Sequence, residues 1–162
     1  SFGQLEEIAL RCLKEMRLLI HQLRPPVLEA HGLITALQHR LESVEQRVNI
    51  NTHLLMDSEF PALTKKVEEE LYSIAMEALN NALRHAEASE ITVRLRSKHD
   101  RVVLNVIDNG VGFGRAKISV GMGFISMRER AEAIGARLWV TSKPQEGTVV
   151  SVALTIKNEE GV

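Results

Sequence analysis

Cysteine is nearly missing from this sequence. Cys12 is the only one among 162 residues, which excludes an internal disulfide framework and a multi-cysteine zinc site and fits a reducing compartment, the cytosol. No apolar run approaches the roughly 18 residues of a membrane-spanning helix, and the N-terminus lacks the charged-then-apolar order of a signal peptide. No membrane contact is expected of these residues. Charge of one sign is lacking too: 20 basic and 21 acidic side chains give a formal net charge of −1. With no basic run to offset that balance, a broad nucleic-acid or anionic-membrane surface is not expected. Internal repeats and low-complexity segments are absent. The chain opens Ser1-Phe2-Gly3 without a methionine and enters helical periodicity at once, as expected of a piece of a longer protein. What is present, 44% apolar and 25% charged residues, is the composition of an ordinary globular protein. Its length suits one compact unit with an appended element.

Apolar residues at Leu5, Ala9, Cys12, Met16, Leu19 and Leu23 keep one seam on one side of a first helix. A bundle helix and a helix packed on its own domain fit that seam equally. Pro25 and Pro26 end it, so residues 1–26 are expected to form a separate element. Leu33, Leu37, Leu41 and Val44 make one face of a second helix after Gly32. Val48, Ile50, Thr52 and Leu54 then alternate with polar residues, predicting a strand. After Pro61 a long helix is predicted from about Leu63 to Ala86, with Leu71, Ile74, Ala75, Ala78, Leu79, Ala82 and Leu83 as its buried stripe. Ile91 to Leu95 and Val102 to Ile107 read as a hairpin, joined through the polar turn Ser97-Lys98-His99-Asp100. A glycine-rich stretch from Asp108 to Gly123 precedes a helix from Phe124 to Ile134 closed by Gly135. Strands Leu138 to Thr141 and Thr148 to Ile156 finish the domain, which runs over residues 27–157 with 158–162 as a tail. This order implies a two-layer α/β sandwich with helices on one face of a mixed sheet. The short strand-to-strand turns exclude a repeating βαβ sheet.

Three clusters could carry chemistry. On the long helix Glu70, Glu77, Asn81 and Arg84 fall within a stripe roughly 60° wide beside the apolar one, whereas Asn80 lies about 100° from Asn81. A carboxylate and a carboxamide one turn apart, followed by Arg84 and His85, suit a Mg²⁺ ion that carries phosphates; a merely solvated helix face is the competing reading. The second cluster is Asp108-Asn109-Gly110-Val111-Gly112-Phe113 at a strand end. There two glycines let backbone approach a flat ligand, Phe113 gives apolar cover, and the Asp108 carboxylate could accept a hydrogen bond from an exocyclic amine such as adenine's. Asn-Gly is also a hairpin signal, but no alternating strand follows it. The third cluster, Gly121-Met122-Gly123, opens a helix whose amides could take a phosphate. It is not a dinucleotide-binding fingerprint. Ser126 stands at the third glycine position, and no acid ends the strand Leu138 to Thr141.

In this order the three clusters resemble the ATP-binding domains of histidine kinases. Glu77-Ala-Leu-Asn-Asn-Ala-Leu-Arg-His-Ala86 resembles their N box, Asp108-Asn-Gly-Val-Gly-Phe113 their G1 box, and Gly121-Met-Gly-Phe-Ile-Ser-Met-Arg-Glu-Arg-Ala131 their G2 region. Gly147-Thr148 matches the glycine-threonine pair that follows in those domains. Leu23-Arg24-Pro25-Pro26, Gly32-Leu33 and the Met-Arg-Glu-Arg run are similar to the nitrate-sensor/DesK-type subclass. The resemblance implies the Bergerat (GHKL) fold shared with gyrase and MutL, and ATP with Mg²⁺ as ligands. By position, Asn81 would hold Mg²⁺ and Glu77 would be the N-box acid near the γ-phosphate, acting as base on the attacking imidazole or only polarising it. Arg84 and His85 would contact phosphates, and Asp108 would bind the adenine amine. Gly110, Gly112 and Phe113 would shape that pocket, Gly121 and Gly123 would end a lid over about 114–120, and Thr148 would line the adenine side.

One departure from that pattern matters. The phosphoacceptor His-Asp or His-Glu motif expected upstream of Leu-Arg-Pro is absent; His21 is followed by Gln22. The resemblance therefore implies the catalytic portion of a sensor histidine kinase, preceded by a remnant of its dimerisation helix and unable to autophosphorylate alone. Its implied partners are the phosphoacceptor helix of the parent kinase, a response regulator and, in the full-length protein, a second copy. A GHKL serine kinase of the anti-sigma-factor type and a non-catalytic nucleotide-binding module are the alternatives. His31, His39, His53 and His99 lack metal-ligand spacing and read as surface or loop residues. Trp139 and Tyr72 are expected in the core, and Cys12 on a buried seam.

Overall fold

The computed structural model describes residues 2–22, 26–113 and 123–156. In chain order its elements are helices α1 (Phe2–Gln22) and α2 (Pro26–Arg47), strand β1 (Asn51–Met56), helix α3 (Lys65–His85), strands β2 (Glu90–Lys98) and β3 (Arg101–Asp108), helix α4 (Phe124–Ala133), and strands β4 (Arg137–Ser142) and β5 (Thr148–Thr155). The sheet order is β1-β2-β3-β5-β4. β1 runs parallel to β2, and every other pair is antiparallel. Helices α2, α3 and α4 cover one face, so the two-layer mixed-sheet architecture expected from the sequence is the one adopted.

The core forms where the two periodicities meet. Leu33, Leu37 and Leu41 from α2, Leu71, Ile74 and Leu79 from α3, and Phe124 and Met127 from α4 pack on Ile91, Val93, Leu95, Leu104, Val106 and Val152. Each large side chain removed from water here contributes about 1.5–3 kcal/mol. The second helix, expected only after Gly32, already begins at Pro26, and Gly32 at φ +83° breaks it. The Leu33 amide that restarts the helix donates to Glu68 Oε2 of α3 at 2.7 Å, so one helix caps its neighbour. Thr64 caps α3 by accepting from the Val67 amide.

Several expectations need correction. The strand expected to begin at Val48 begins at Asn51. Val48 N still bonds Val44 O, and Ile50 N bonds Val48 O, so the early alternation lies in the turn that leaves α2. The β2–β3 turn shrinks to His99-Asp100, because pairing extends to Lys98↔Arg101. Trp139 is not core: it sits on the face of the sheet left uncovered among the described residues and is 37% exposed. Cys12 is exposed, as are Leu5, Ile8, Leu13 and Met16 along α1. Nor does the charge stay mixed once the chain folds. Strand alternation sends Ile91, Val93 and Leu95 inward and Arg94, Arg96 and Lys98 outward, beside Arg101 and Arg137, so the uncovered face is basic. His31, His39, His53 and His99 are exposed as expected. Among the described residues no helix is long and apolar enough to cross a membrane.

Candidate functional site

The inward positions of β3, β5 and β4 turn polar together at one end of the sheet. Asp108 follows Val102, Leu104 and Val106 on the inner face; Thr148 is its cross-strand partner and Ser142 is the partner of Thr148. A cavity of about 190 Å³ opens over this row. Its helical wall is Ala78, Asn81, Ala82 and His85 of α3, and Gly112, Phe113 and Phe124 close its far side. The Phe113 and Phe124 rings meet at a 45° tilt with centroids 6.0 Å apart, an apolar wall suited to a planar group.

Asp108 is buried, and burial pushes its carboxyl above the usual carboxylate range while the amides of Gly110 and Thr148 pull it back. The Gly110 amide donates to Asp108 Oδ1 at 2.9 Å, which fixes the rotamer. Gly110 itself rests against the Ala86 carbonyl, where a Cβ would collide with α3's final turn. Gly112, at φ +63°, lies equally close to the Lys143 carbonyl. Both glycines therefore shape the cavity by letting the loop lie flat on its neighbours.

Thr148 is held by Ser142, a residue the sequence reading did not single out. Ser142 Oγ accepts from the Phe113 amide at 2.9 Å, donates to the Gly147 carbonyl at 3.2 Å and lies 2.8 Å from Thr148 Oγ1. The Ser142 and Thr148 hydroxyls share one hydrogen bond in which either can be the donor. The Asp108 carboxylate, an acceptor, and the Thr148 hydroxyl, which can accept or donate, thus stand side by side. Ser142 had a signal in the sequence: it is polar where Leu138 and Val140 set an inward apolar beat. Asn109 was also missed. Its Oδ1 accepts from the amides of Ser89 and Glu90 at 3.0 and 2.9 Å and its Nδ2 donates to Ser89 Oγ at 2.9 Å, clasping the loop that carries Asp108 to the start of β2.

The remaining helix residues divide. Asn81 and His85 line the cavity, whereas Arg84 is exposed and does not. Glu77 is outside the lining; its carboxylate lies against Gly123, the N-cap of α4 at φ +74°, where the first-turn amides have no side-chain cap. Glu70, placed by helical angle on the same stripe, is buried between Lys66 and Arg130 at 3.1 and 3.3 Å. It ties α3 to α4 and takes no part in the cavity. Gly121, the stretch 114–120 and the motif residues Leu23, Arg24 and Pro25 lie outside the described residues. Among the described residues no three His, Cys, Asp or Glu side chains gather at metal-binding range. A hard cation held here would thus use the amide oxygen of Asn81 together with oxygens brought by its ligand.

Comparison with known proteins gives a consistent picture. The family of histidine kinase-, DNA gyrase B- and HSP90-like ATPases matches residues 66–158. Sensor histidine kinase LiaS of Bacillus subtilis is 38% identical over 156 residues, which is 96% of this chain and 43% of that protein. Sensor protein VraS of Staphylococcus epidermidis is 34% identical over 148 residues, 90% of this chain and 42% of that one. The chain thus spans less than half the length of these curated relatives. Among solved structures, the histidine kinase domain of the blue-light activated histidine kinase from Erythrobacter litoralis EL346 superposes with a TM-score of 0.64 at 20% identity. That match covers 75% of this chain and 58% of that one, and it supports the fold.

Proposed function

Because the chain belongs to the histidine kinase-, DNA gyrase B- and HSP90-like ATPase family, we propose that it binds Mg-ATP in the cavity between α3 and the β3–β5–β4 row. In this reading it is the ATP-binding catalytic portion of a two-component sensor histidine kinase. The observation that carries the reading is the convergence of Asp108, Thr148 and Asn81 on one cavity. Adenine presents its amine to the Asp108 carboxylate and its ring to Phe113 and Phe124, with the Thr148 hydroxyl beside it. The base enters a pocket in which Asp108 is already oriented by the Gly110 amide, so little reorganisation opposes binding.

Phosphates would leave the adenine site toward Asn81 and His85 along α3 and toward the uncapped amides of α4. Mg²⁺, held partly by Asn81, would neutralise charge on the transferring phosphoryl group. Glu77, beside the α4 N-terminus, would orient or deprotonate the attacking imidazole of a histidine on another segment of the parent protein. The phosphoryl group would pass from there to a response regulator. The exposed apolar seam of α1 supports its reading as part of a dimerisation helix, since Leu5, Ile8, Leu13 and Met16 call for cover by a second copy.

Calorimetry of ATP binding with and without Mg²⁺ tests the site. Asp108→Ala is expected to lose about 1–3 kcal/mol of affinity, the cost of leaving a buried partner unsatisfied, with or without the metal. Asn81→Ala is expected to retain metal-free binding and lose the enhancement by Mg²⁺. Unchanged binding in both variants would remove the assignment. Phosphoryl transfer is tested by supplying the parent kinase's phosphoacceptor helix with labelled ATP. A chain that binds ATP yet leaves that histidine unlabelled is a nucleotide-binding module instead.

A further inference from the structure

The uncovered face of the sheet plays no part in the ATP site, and its chemistry is one-sided. Arg94, Arg96 and Lys98 on β2, Arg101 on β3 and Arg137 on β4 all project from it, and the acid among these outward strand positions, Glu90, stands 3.7 Å from His53 at the β1 side. Lys98 and Arg101 are direct cross-strand partners, a like-charge pairing that costs stability. Arg94 Nε is buried without a hydrogen-bond partner. Between the cations run Asn105 and Ser151, bonded to each other at 2.9 Å, and the row ends on Trp139, 37% exposed. In a chain with net charge −1, this one face gathers four arginines and a lysine together with an exposed tryptophan.

We propose that this face is a docking surface for a carboxylate-rich segment of a partner protein. Arg and Trp are the residues enriched at the energetic centres of protein interfaces, and guanidinium forks match carboxylates in pairs. A second copy does not fit, because face-to-face packing sets these cations against themselves. Size also limits the occupant. Five strands about 4.8 Å apart and about seven residues long, at about 3.3 Å each, span roughly 450 Å², about half of the roughly 800 Å² that each partner buries in a stable complex. The docking is therefore transient and salt-sensitive.

Trp139 is the only tryptophan in the sequence, so its fluorescence reports directly on this face. The intact chain is titrated with a short glutamate-rich peptide, a glutamine-rich peptide of the same length, anionic phospholipid vesicles and duplex DNA. A saturable Trp139 response to the glutamate peptide is expected, weakened by added salt and by about tenfold in the double variant R96E/R137E. The thermal transition of that variant, followed by circular dichroism, establishes that it is folded, and R96Q/R137Q gives an intermediate loss. No saturable response to the glutamate peptide, equal binding by the charge-reversed variant, or tighter binding to vesicles or DNA than to the peptide would each overturn the proposal.

Discussion

The Glu77 carboxylate of α3 packs against the backbone of Gly123, the residue that opens α4, with Gly123 in the left-handed region at φ +74°. Two costs therefore fall together on Gly123→Ala: left-handed backbone for an L residue, about 1–2 kcal/mol, and collision of the new methyl with Glu77. The expected destabilisation in urea is about 2–3 kcal/mol. In a Glu77→Ala background only the backbone cost survives, so the cycle should show coupling on the order of 1 kcal/mol. Strict additivity would mean that the two residues do not touch.

Asp108 couples stability to pH in a direction opposite to most carboxylates. Burial raises its folded pKa above the usual value of 3.8, so the folded state holds the proton more tightly than the unfolded chain. Stability from this group is fully present below about pH 3.8 and is lost as pH rises through the raised folded pKa. Asp108→Asn does not titrate. The stability of the unsubstituted chain relative to that variant should therefore fall across that interval and level off above it, measured by urea unfolding at successive pH values. A difference that rises with pH would contradict the burial.

Legibility in the sequence followed how local each cause is. Asp108 and the cavity face of Asn81 were readable because a polar residue ends an apolar strand or sits at a fixed angle on a helix, whereas Thr148 came only through the resemblance of Gly147-Thr148 to a family pair. Ser142 carried the same signal at the end of Leu138 and Val140, but a single serine in an edge strand has meaning only once β4 is known to pair with β5. Glu70 misled because helical angle places it with Glu77, while α4 supplies Arg130 from 60 residues away. Arg94, Arg96 and Lys98 were visible as alternation, yet Arg101 and Arg137 join them only through strand order, which composition does not encode. Trp139 and Cys12 failed for one reason: apolar character says that a side chain wants cover, not that these residues supply it.

From outside the cavity, Asn109 holds the loop that carries Asp108. Asn109→Ala removes acceptors for two amides and a donor to Ser89 at once, and each exposed bond is worth about 0.5–1 kcal/mol. A loss of about 1–3 kcal/mol is expected. Asn109→Asp keeps both amide bonds, and the Ser89 hydroxyl can turn to donate, so it should cost under about 1 kcal/mol. Similar losses in both variants would show that the clasp is not what matters there.

Glu70 and Arg130 set the far end of the same helix pair that Glu77 and Gly123 set at the near end. Each pair of positions is seven residues apart on its helix and the order reverses, so α3 and α4 pack antiparallel with two fixed points about 10 Å apart. Lys66 is 61% exposed at its side chain, Arg130 29% and Glu70 11%. Solvent screens the Lys66 bridge, so Lys66→Ala should change stability by less than about 0.5 kcal/mol. Glu70→Ala strands a half-buried guanidinium and should cost about 1–3 kcal/mol. Much of that loss should vanish in Glu70→Ala/Arg130→Met, where no charge is left unpaired and the methionine keeps apolar contact with α3. Urea unfolding of the unsubstituted chain, Glu70→Ala, Arg130→Met and the double variant decides the matter. If the double variant is as unstable as the sum of its parts, Glu70 and Arg130 are not coupled and the bridge does not fix the helix pair.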